Sequence, residues 1–411
     1  MESLPDLMDP KVQSCPYALY NRLRTQAPVY KMPNTGFHLV TSYDLCMQVI
    51  REPDLFASGV SPATLRPGGV PPEVVRVFTE EGWLPTSSCS TSDPPRHTWV
   101  RALLDRLFTA SKVRAMVPWM ESTANQLIDQ FVDKGECEFV RAFAHPFPMI
   151  VIAEQIGVSP DMIDTFKSWS DAIVEPFSMM VSPEREVECA RLFVEMQKFF
   201  QQRIEERRRA PKDDLLTVIA QTRDEQGELL AMEEALTIIA VDLLASGNDT
   251  TASALASGMR LLIENPHIQD ELAADPGLIP AFAEEVVRLE SPAQGMFRRV
   301  VAPTELGGIM LQEGDLLSLR FGAANRDEKE FPSPERIDLH RKSPGKHLAF
   351  GIGRHHCIGA PLARQELITC FSLLIGRLRG FRMEETAPGL AYTPSFFGRN
   401  LISLPICFER R

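Results

Sequence analysis

The chain has 411 residues, enough for one large domain or two ordinary ones. Hydrophobic residues make up 44% of it and charged residues 24%, which is typical of a soluble globular protein with a large core. The net charge of −12 argues against non-specific binding to nucleic acid or to anionic membranes, because both require clustered Lys and Arg.

The sequence shows no targeting or membrane signal. Its amino terminus, MESLPDLMDPKVQSCPYALY, lacks the charged and then apolar pattern of a secretory signal. The most apolar stretch, residues 235–245, is too short to cross a bilayer and contains Asp242. The 8 cysteines are scattered without a C-x-x-C pair, as is usual in a reducing compartment. We therefore expect a cytoplasmic protein that binds neither membrane nor nucleic acid.

The first hundred residues mix short strands with helices, and helical periodicity dominates the middle of the chain. The FHLVTS stretch at residues 37–42 predicts a strand. Apolar spacing predicts a helix over 123–135 that stops at Gly135, and a long amphipathic helix over 187–214.

Residues 231–264 have little polar face, which predicts a central buried helix. After it the pattern predicts two short strands within 307–319, a helix over 361–378 and strand-like sequence over 395–408. No shift in composition marks a domain boundary. The chain is therefore expected to form one domain over residues 1–411, mainly α with a smaller β portion.

The stretch FGIGRHHCIG, residues 350–359, places two histidines beside Cys357 between glycines. Adjacent side chains rarely bind one metal, since zinc ligands are normally two or more residues apart, and a Cys–His catalytic pair normally joins residues distant in sequence. Pro361 begins a run at helical spacing, so Cys357 precedes a helix N-terminus that can stabilise a thiolate. Such a thiolate suits the axial position of a haem iron. The residues alone leave this alternative and an ordinary glycine turn equally open.

The same ten residues resemble the haem-binding loop of the cytochrome P450 family, F-G-x-G-x-H-x-C-x-G. All fixed positions of that pattern are matched, by Phe350, Gly351, Gly353, His355, Cys357 and Gly359. The resemblance implies that Cys357 is the axial thiolate of heme b and that His355 contacts a haem propionate. It implies that Phe350, Gly351 and Gly359 shape the cofactor-binding loop, and it leaves His356 at a variable position.

A second motif, SGNDTT at residues 246–251, interrupts the predicted central helix with residues of low helix propensity. One interpretation is a break between two helices, with Asp249 or Thr250 as N-cap. The motif also resembles the oxygen-binding motif of the P450 family. The resemblance implies that Gly247 makes room for oxygen, Thr250 hydrogen-bonds activated oxygen and Asp249 passes protons through water. Ser246 departs from the usual Ala or Gly, and its hydroxyl is expected to touch substrate or water.

A third motif, EEVVRLESP, contains Glu285 and Arg288, which can pair at i and i+3 on one helix face. It resembles the E-x-x-R pair of the family, and Arg336 in PSPERID matches the arginine that completes that network. The implied role of these three residues is structural: they fix the cysteine loop.

A fourth motif, SDPPRHTWVRALL, places His97 and Arg101 four residues apart on one helix face. The family pattern implies that both residues bind the haem propionates, together with His355 and Arg298. Paired cations are what two buried carboxylates need. Arg299 competes with Arg298 for this role, and spacing alone does not decide between them.

Together these motifs imply a haem-thiolate monooxygenase that inserts one atom of O2 into an organic substrate, by hydroxylation or O-dealkylation. The alternatives are a haem-thiolate peroxygenase or isomerase, a non-enzymatic haem protein and a Cys–His hydrolase without haem.

The chain has no iron–sulfur, flavin or nicotinamide motif, so electrons are expected from a 2Fe–2S ferredoxin and its NAD(P)H-dependent reductase. The expected docking cations of the chain are Arg106, Lys346, Arg354 and Arg364.

By position in the family, the substrate pocket would be lined by apolar and sulfur-containing residues, which favours a small to medium hydrophobic substrate. The expected pocket segments are 82–92, 176–181, Asp242, Ser246, Gly247, Met296, Phe297, Phe396 and Phe397. The hydroxyl-rich residues 86–92 either bind a polar group of the substrate, such as a carboxylate, or form a solvated loop.

Overall fold

The computed structural model describes residues 4–60, 62–65, 69–224, 227–385 and 389–411. Helices predominate over strands among these residues, which confirms the predicted class. The α-helices are α1 (Pro10–Ser14), α2 (Tyr17–Gln26), α3 (Tyr43–Arg51), α4 (Pro62–Leu65), α5 (Pro72–Glu81), α6 (Arg96–Asp105), α7 (Ala110–Asp129), α8 (Pro146–Gln155), α9 (Ile163–Val174), α10 (Pro183–Arg209), α11 (Leu215–Gln221), α12 (Met232–Thr237), α13 (Ser246–Glu264), α14 (Pro266–Ala274), α15 (Ile279–Glu290), α16 (Phe321–Ala324) and α17 (Ala360–Arg377). The strands are β1 (Val29–Lys31), β2 (His38–Val40), β3 (Phe56–Ala57), β4 (Glu136–Glu138), β5 (Met296–Val300), β6 (Thr304–Leu306), β7 (Ile309–Leu311), β8 (Leu316–Leu319), β9 (Leu378–Met383) and β10 (Pro405–Arg410).

The chain divides into two compact units. The first unit comprises Met1–Ser58, Phe108–Phe147 and Thr250–Arg411, and the second comprises Gly59–Leu107 and Pro148–Asp249. All ten strands named above belong to the first unit, and α4, α5, α6 and α9 to α12 belong to the second. The single domain over residues 1–411 stays a prediction.

The main sheet of the first unit has five strands in the order β1-β2-β8-β5-β3. Strand β2 runs parallel to β8, with His38 opposite Leu317, and the other neighbours are antiparallel. A buried apolar cluster that includes Phe56, Val300 and Leu319 packs on this sheet. Burial of such side chains contributes about 1.5–3 kcal/mol each.

The strands predicted within residues 307–319 are present as β7 and β8, but they enter different sheets. Strand β7 forms a hairpin with β6, whereas β8 pairs with β2 and β5. Gly314 lies between them with φ of +88°, a conformation that favours glycine. The predicted strand over 395–408 is shorter than expected, because regular pairing begins at Pro405.

The central helix extends from α12 through a π-helical segment, Ile238–Ala245, into α13. The interpretation of SGNDTT as a helix break is therefore wrong. Ser246 keeps helical backbone angles, and Asn248 and Thr251 within the motif are buried. Burial of this helix outweighs the low propensity of six residues.

Other helix ends follow the expected chemistry. Gly135 adopts a left-handed conformation with φ of +73° directly after a 3₁₀ turn, Val132–Lys134, that follows α7. Helix α10 begins earlier than the predicted residue 187, since the Ser182 hydroxyl accepts a hydrogen bond from the Arg185 N–H. Among the described residues, no helix combines the length and apolarity needed to cross a bilayer.

Candidate active site

The cysteine loop lies between a 3₁₀ turn, Gly353–His355, and helix α17. The Cys357 N–H donates to the Phe350 carbonyl at 2.7 Å, which closes the loop on itself. Gly351 has φ of +63°, and a Cβ at this position would lie 3.2 Å from the His355 carbonyl oxygen. Glycine is thus required at position 351 for both its backbone angle and its closeness to the returning chain.

The donor chemistry of this loop suits one metal–sulfur bond. Cys357 precedes α17 by three residues, and Pro361 occupies the first turn of that helix. The helix dipole there favours a thiolate. In the part of the chain that the structure describes, no group of three or more His, Cys, Asp or Glu side chains could hold a metal ion. One thiolate without further protein ligands is what a metal already bound by a macrocycle requires.

Phe350 packs against Arg364 and His347, two side chains that share one carboxylate. The Arg364 guanidinium lies 4.5 Å from the centre of the Phe350 ring, and the His347 ring centre lies 5.8 Å away. Arg364 and His347 both bind Glu284, at 2.5 Å and 3.0 Å. Burial opposes ionisation of Glu284, but hydrogen bonds from His347 and Arg364 lower its pKa to about 2. This carboxylate therefore stays ionised and fixes one wall of the loop.

The predicted pair of Glu285 and Arg288 is present and fully buried. Arg288 Nε lies 2.7 Å from Glu285 Oε1, and its Nη2 lies 2.9 Å from Oε2. Arg288 also donates to the carbonyls of Asn325 and Pro334, at 3.0 Å and 2.7 Å. The pair thereby fastens α15 to the chain that leads toward the cysteine loop.

The arginine that completes this network is Arg341. Its Nε donates to Glu285 Oε1 at 2.9 Å, beside the main-chain N–H of Asp338, which donates to Oε2 at 2.9 Å. Arg336 offers only its carbonyl, which accepts from Arg288 at 3.0 Å, and its side chain is exposed. The expectation for the Arg336 side chain is corrected accordingly, because the chain turns between the two arginines and points Arg341 inward.

The structure separates the two candidate arginines of strand β5. Arg298 is buried and donates to the Phe297 carbonyl at 2.7 Å, whereas Arg299 is exposed. Side chains alternate between the faces of a strand, so only one of them can face the interior. Arg298 therefore remains the candidate for an internal anion in the first unit, which also contains His355.

The other two propionate candidates lie in the second unit. His97 is buried in the first turn of α6, and its N–H donates to the Asp93 carbonyl at 3.0 Å. Arg101 lies one turn further along, and its Nε donates to Asp105 at 3.0 Å. The predicted helix and the shared face of the two cations are thus present.

The oxygen motif lies directly after the π-helical segment. The Ser246 hydroxyl donates to the Val241 carbonyl at 2.6 Å, so this hydroxyl serves the helix backbone. Gly247 faces Ile152, where a Cβ would make an ordinary contact at 3.5 Å. The Asn248 amide donates to the Ser170 hydroxyl at 3.3 Å. The π-helical segment, Ile238–Ala245, therefore ends at the residue before this motif.

Asp249 has an environment suited to proton exchange. Burial, helped by the negative charges of Asp171 and Glu175 and opposed by Lys167, raises its pKa to about 6. Lys167 and Asp171 form a half-exposed pair with N–O distances of 2.8 Å and 2.7 Å. Asp249 can therefore gain and lose a proton close to neutral pH. Thr250 is its neighbour in the same helix.

Glu366 is a site residue that the sequence reasoning missed. It is buried in α17, shares a side-chain hydrogen bond with Thr251, and burial raises its pKa well above the usual range. The signal was present in the sequence, since Glu366 lies four residues from both Leu362 and Cys370 on the apolar face of the predicted helix. A charged residue on such a face indicates a specific polar contact.

The hydroxyls of residues 88–92 bond within their own loop, whereas the Thr86 hydroxyl accepts from Arg96 of α6. Ser88 and Thr91 form a reciprocal cap, with the Ser88 N–H donating to Thr91 Oγ1 at 3.0 Å. The Ser92 hydroxyl donates to the Ser88 carbonyl at 2.6 Å. The Cys89 N–H donates instead to the Asp242 carboxylate, at 3.0 Å from Oδ1. These hydroxyls thus shape the loop.

The predicted pocket residues of the first unit form an aromatic cluster. Phe297 stacks on Phe396 with ring centres 5.7 Å apart, and Phe37 meets Phe297 edge to face at 5.2 Å. Phe396 is buried in this cluster, whereas Phe397 and Met296 are half-buried. The Phe397 carbonyl accepts from the Gln294 N–H at 2.8 Å, which positions the segment.

Comparison with known proteins now identifies the family. Residues 157–275 and 277–400 match the family model described as Cytochrome P450. The chain belongs to the cytochrome P450 family. It is 32% identical to the 6-deoxyerythronolide B hydroxylase of Saccharopolyspora erythraea, with 99% of each chain covered. It is 33% identical to a steroid C26-monooxygenase of Mycobacterium tuberculosis, over 95% of this chain and 93% of that one.

A solved structure agrees with this assignment. Cytochrome P450 CYP109Q5 from Chondromyces apiculatus is similar with a TM-score of 0.85 and 33% identity, covering 99% of this chain and 98% of that one. The P450 fold predicted from the motifs is thereby confirmed. The protein is a P450 monooxygenase, an oxidoreductase of a family that uses thiolate-bound haem, O2, an organic substrate and redox partners. The cysteine loop fits that haem, since Cys357 lies just before the N-terminus of α17 and can supply the single thiolate.

Proposed function

We propose that this P450 inserts one oxygen atom from O2 into a small to medium hydrophobic molecule, by hydroxylation or O-dealkylation, with heme b as its cofactor. The observation that carries the proposal is the closed loop from Phe350 to Cys357 directly before α17. Two relatives named above act on 6-deoxyerythronolide B and on a steroid, according to their names. Both names support an apolar substrate.

In the proposed mechanism, Cys357 binds the haem iron, and Arg298 and His355 pair with the propionates. The same role is proposed for His97 and Arg101 from their motif. When bound, the haem supplies the activation of O2 and the oxidation of substrate. The chain supplies the rest: a thiolate stabilised by the N-terminus of α17, and a buried E-x-x-R network that keeps the loop in place.

Proton supply is proposed to run through Asp249. Its pKa of about 6 allows uptake and release at neutral pH, and the Lys167–Asp171 pair is half-exposed to solvent. The Thr250 hydroxyl is proposed to present the proton to oxygen. This arrangement favours the O2-dependent route over a peroxygenase or a non-enzymatic haem protein, since neither needs delivered protons.

Electrons are proposed to come from a 2Fe–2S ferredoxin with its NAD(P)H-dependent reductase. Of the expected docking cations in the first unit, Arg364 binds Glu284 and Lys346 binds Glu330. Arg354 is exposed beside the cysteine loop. We propose Arg354 as the main docking cation of this unit because its exposed side chain lies in the cysteine loop itself, and Arg106 is exposed in the second unit.

Two measurements test the proposal. The reduced holoprotein with carbon monoxide should give the red-shifted Soret band of thiolate-bound haem, and Cys357→Ala should abolish that band. Substrate oxidation should depend on ferredoxin, reductase, NAD(P)H and O2. Turnover with peroxide alone, at rates equal to the reconstituted system, would favour the peroxygenase.

A further inference from the structure

Asp242 is an acid inside an otherwise apolar π-helical segment, Ile238–Ala245. Its side chain is buried, and both carboxylate oxygens face the Cys89 N–H, at 3.0 Å and 3.3 Å. This bond joins the central helix to the loop of residues 86–92 within the second unit. An acid buried in this way is costly unless it has a function or a partner for its charge.

No cation pairs with the charge of Asp242 in the part of the chain that the structure describes. No Lys, Arg or His nitrogen of these residues lies within 4.0 Å of its carboxylate. The cation that acts on it most is Arg96, whose guanidinium is bound to Glu234 and to the Ser87 carbonyl. Burial raises the pKa of Asp242 to about 7, while the Cys89 N–H and Arg96 lower it only in part.

Asp242 also lies one helical turn before Ser246, an exposed residue of the central helix. Every residue described between 235 and 262 is buried or half-buried except Ser246, which is exposed. Ser246 lies one turn after Asp242, and Asp249 and Thr250 follow it. The carboxylate therefore belongs to the helix turn that precedes the proposed oxygen motif. The hydroxyls of Ser88, Thr91 and Ser92 in the adjoining loop bond within that loop and not to Asp242.

We infer that Asp242 is the polar recognition group for substrate and that the substrate carries a basic amine. The inference rests on the proposed monooxygenase function and names the substrate class for it. An ammonium group would supply the missing cation and form a charge-assisted hydrogen bond with the free lone pairs of the carboxylate. A substrate carboxylate would meet like charge at short range, so the expectation that residues 86–92 bind a carboxylate is not favoured.

The test compares three compounds that differ in one group. A library of apolar scaffolds, including steroids and terpenoids, is prepared with a dimethylamino, an isopropyl or a carboxylate substituent. Each is titrated into the holoprotein, and the spin-state shift of the Soret band gives Kd. We expect the amine of the tightest-binding scaffold to bind about 10–100-fold more tightly than its isopropyl analogue, and the carboxylate to bind weakest.

The variant Asp242→Asn keeps an oxygen for the Cys89 N–H but cannot become anionic. It should remove the amine preference and leave the Kd of the isopropyl compound within about threefold of wild type. The matched control is Asp164→Asn, an exposed acid in α9 of the same unit, which should keep the wild-type preference.

The inference would be overturned by equal or tighter binding of the isopropyl or carboxylate compound, by an amine preference that survives in Asp242→Asn, or by the absence of any amine that binds. A nitrogen–iron bond is recognised by a red-shifted Soret band in the oxidised protein, and an amine preference that arises only from it also contradicts the inference. A normal carbon monoxide spectrum with turnover of neutral compounds would uphold the proposed monooxygenase while the amine inference fails.

Discussion

Two acids of one helix, the buried Asp242 and the half-buried Asp249, have different partners, and their roles follow from that difference. Asp249 lies near the charged pair of Lys167 and Asp171, whereas Asp242 receives a main-chain N–H and no cation. Their pKa values are raised to about 6 and about 7, in both cases mainly by burial. The resemblance of SGNDTT to the oxygen-binding motif of the family predicted a role for Asp249, but the contact of Asp242 with Cys89 joins residues 153 apart and needed the structure.

Replacing Asp249 tests the proton role. Asp249→Asn cannot exchange a proton, so we expect turnover to fall about 100-fold or more, with substrate Kd unchanged within about threefold. Wild-type turnover should show an inflection near pH 6, where Asp249 titrates, and the variant should lack it. Steady-state rates from pH 5 to 8 and spin-state titrations provide the measurement. A variant that keeps wild-type turnover would remove Asp249 from the proton path.

The stability of the Asp242→Asn variant tests, without any substrate, whether ionisation of the Asp242 carboxylate opposes folding. The folded pKa of about 7 exceeds the unfolded value of about 3.9, so ionisation opposes folding increasingly from pH 4 to 7 and fully above pH 7. Asp242→Asn lacks this cost. Its melting temperature relative to wild type should therefore rise between pH 5 and 8, by an amount equivalent to roughly 2–4 kcal/mol. A difference that is constant with pH would show that Asp242 is not destabilised by ionisation.

At the scale of elements, apolar periodicity predicted the helices, whereas the sequence did not predict which strands pair with each other. Helices α10, α13 and α17 lie over the predicted stretches within a few residues, whereas α7 spans Ala110–Asp129 and ends before the predicted stop at Gly135. Helical contacts are local, so they leave a regular pattern in the sequence. The partners of β7 and β8 are set by distant strands, which the sequence of 307–319 does not specify.

The same limit explains the error over Arg336. Residues 336 and 341 lie in one irregular segment, and nothing in their spacing shows which side chain turns inward. The structure shows Arg341 on Glu285. The motif thus located the network correctly and missed one of its members.

The pair Arg341→Gln and Arg336→Gln tests this correction. Arg341→Gln removes a charge-assisted bond to a buried carboxylate, so we expect a loss of about 1.5–3 kcal/mol of stability. Because the network fixes the cysteine loop, a fraction of the carbon monoxide complex should lose its thiolate ligand and absorb near the position of a neutral-ligand haem. Arg336→Gln keeps the main-chain carbonyl and should resemble wild type. If Arg336→Gln lost stability and thiolate ligation while Arg341→Gln resembled wild type, Arg336 would again be the arginine that completes the network.

At the scale of the whole molecule, composition and motifs led to the family, while the substrate depended on individual contacts. Four motifs in order along the chain carried the resemblance, because each is short and tied to haem chemistry. Pocket residues follow no fixed sequence pattern, so their side-chain contacts could be identified only from the structure. The exclusion of nucleic acid and membrane surfaces rested on the net charge of −12.

That net charge also makes the docking proposal testable. An acidic ferredoxin meets long-range repulsion from a chain of charge −12, so productive docking requires a local cation near the cysteine loop. Arg354→Glu should lower the apparent affinity for ferredoxin about tenfold at low salt, and added salt should weaken wild-type coupling. The control Arg382→Glu changes an exposed arginine of β9 and the net charge equally. Chemical reduction by dithionite and the carbon monoxide band should be unaffected in both variants. If both lower coupling to the same extent, overall charge governs the encounter and Arg354 has no specific role in docking.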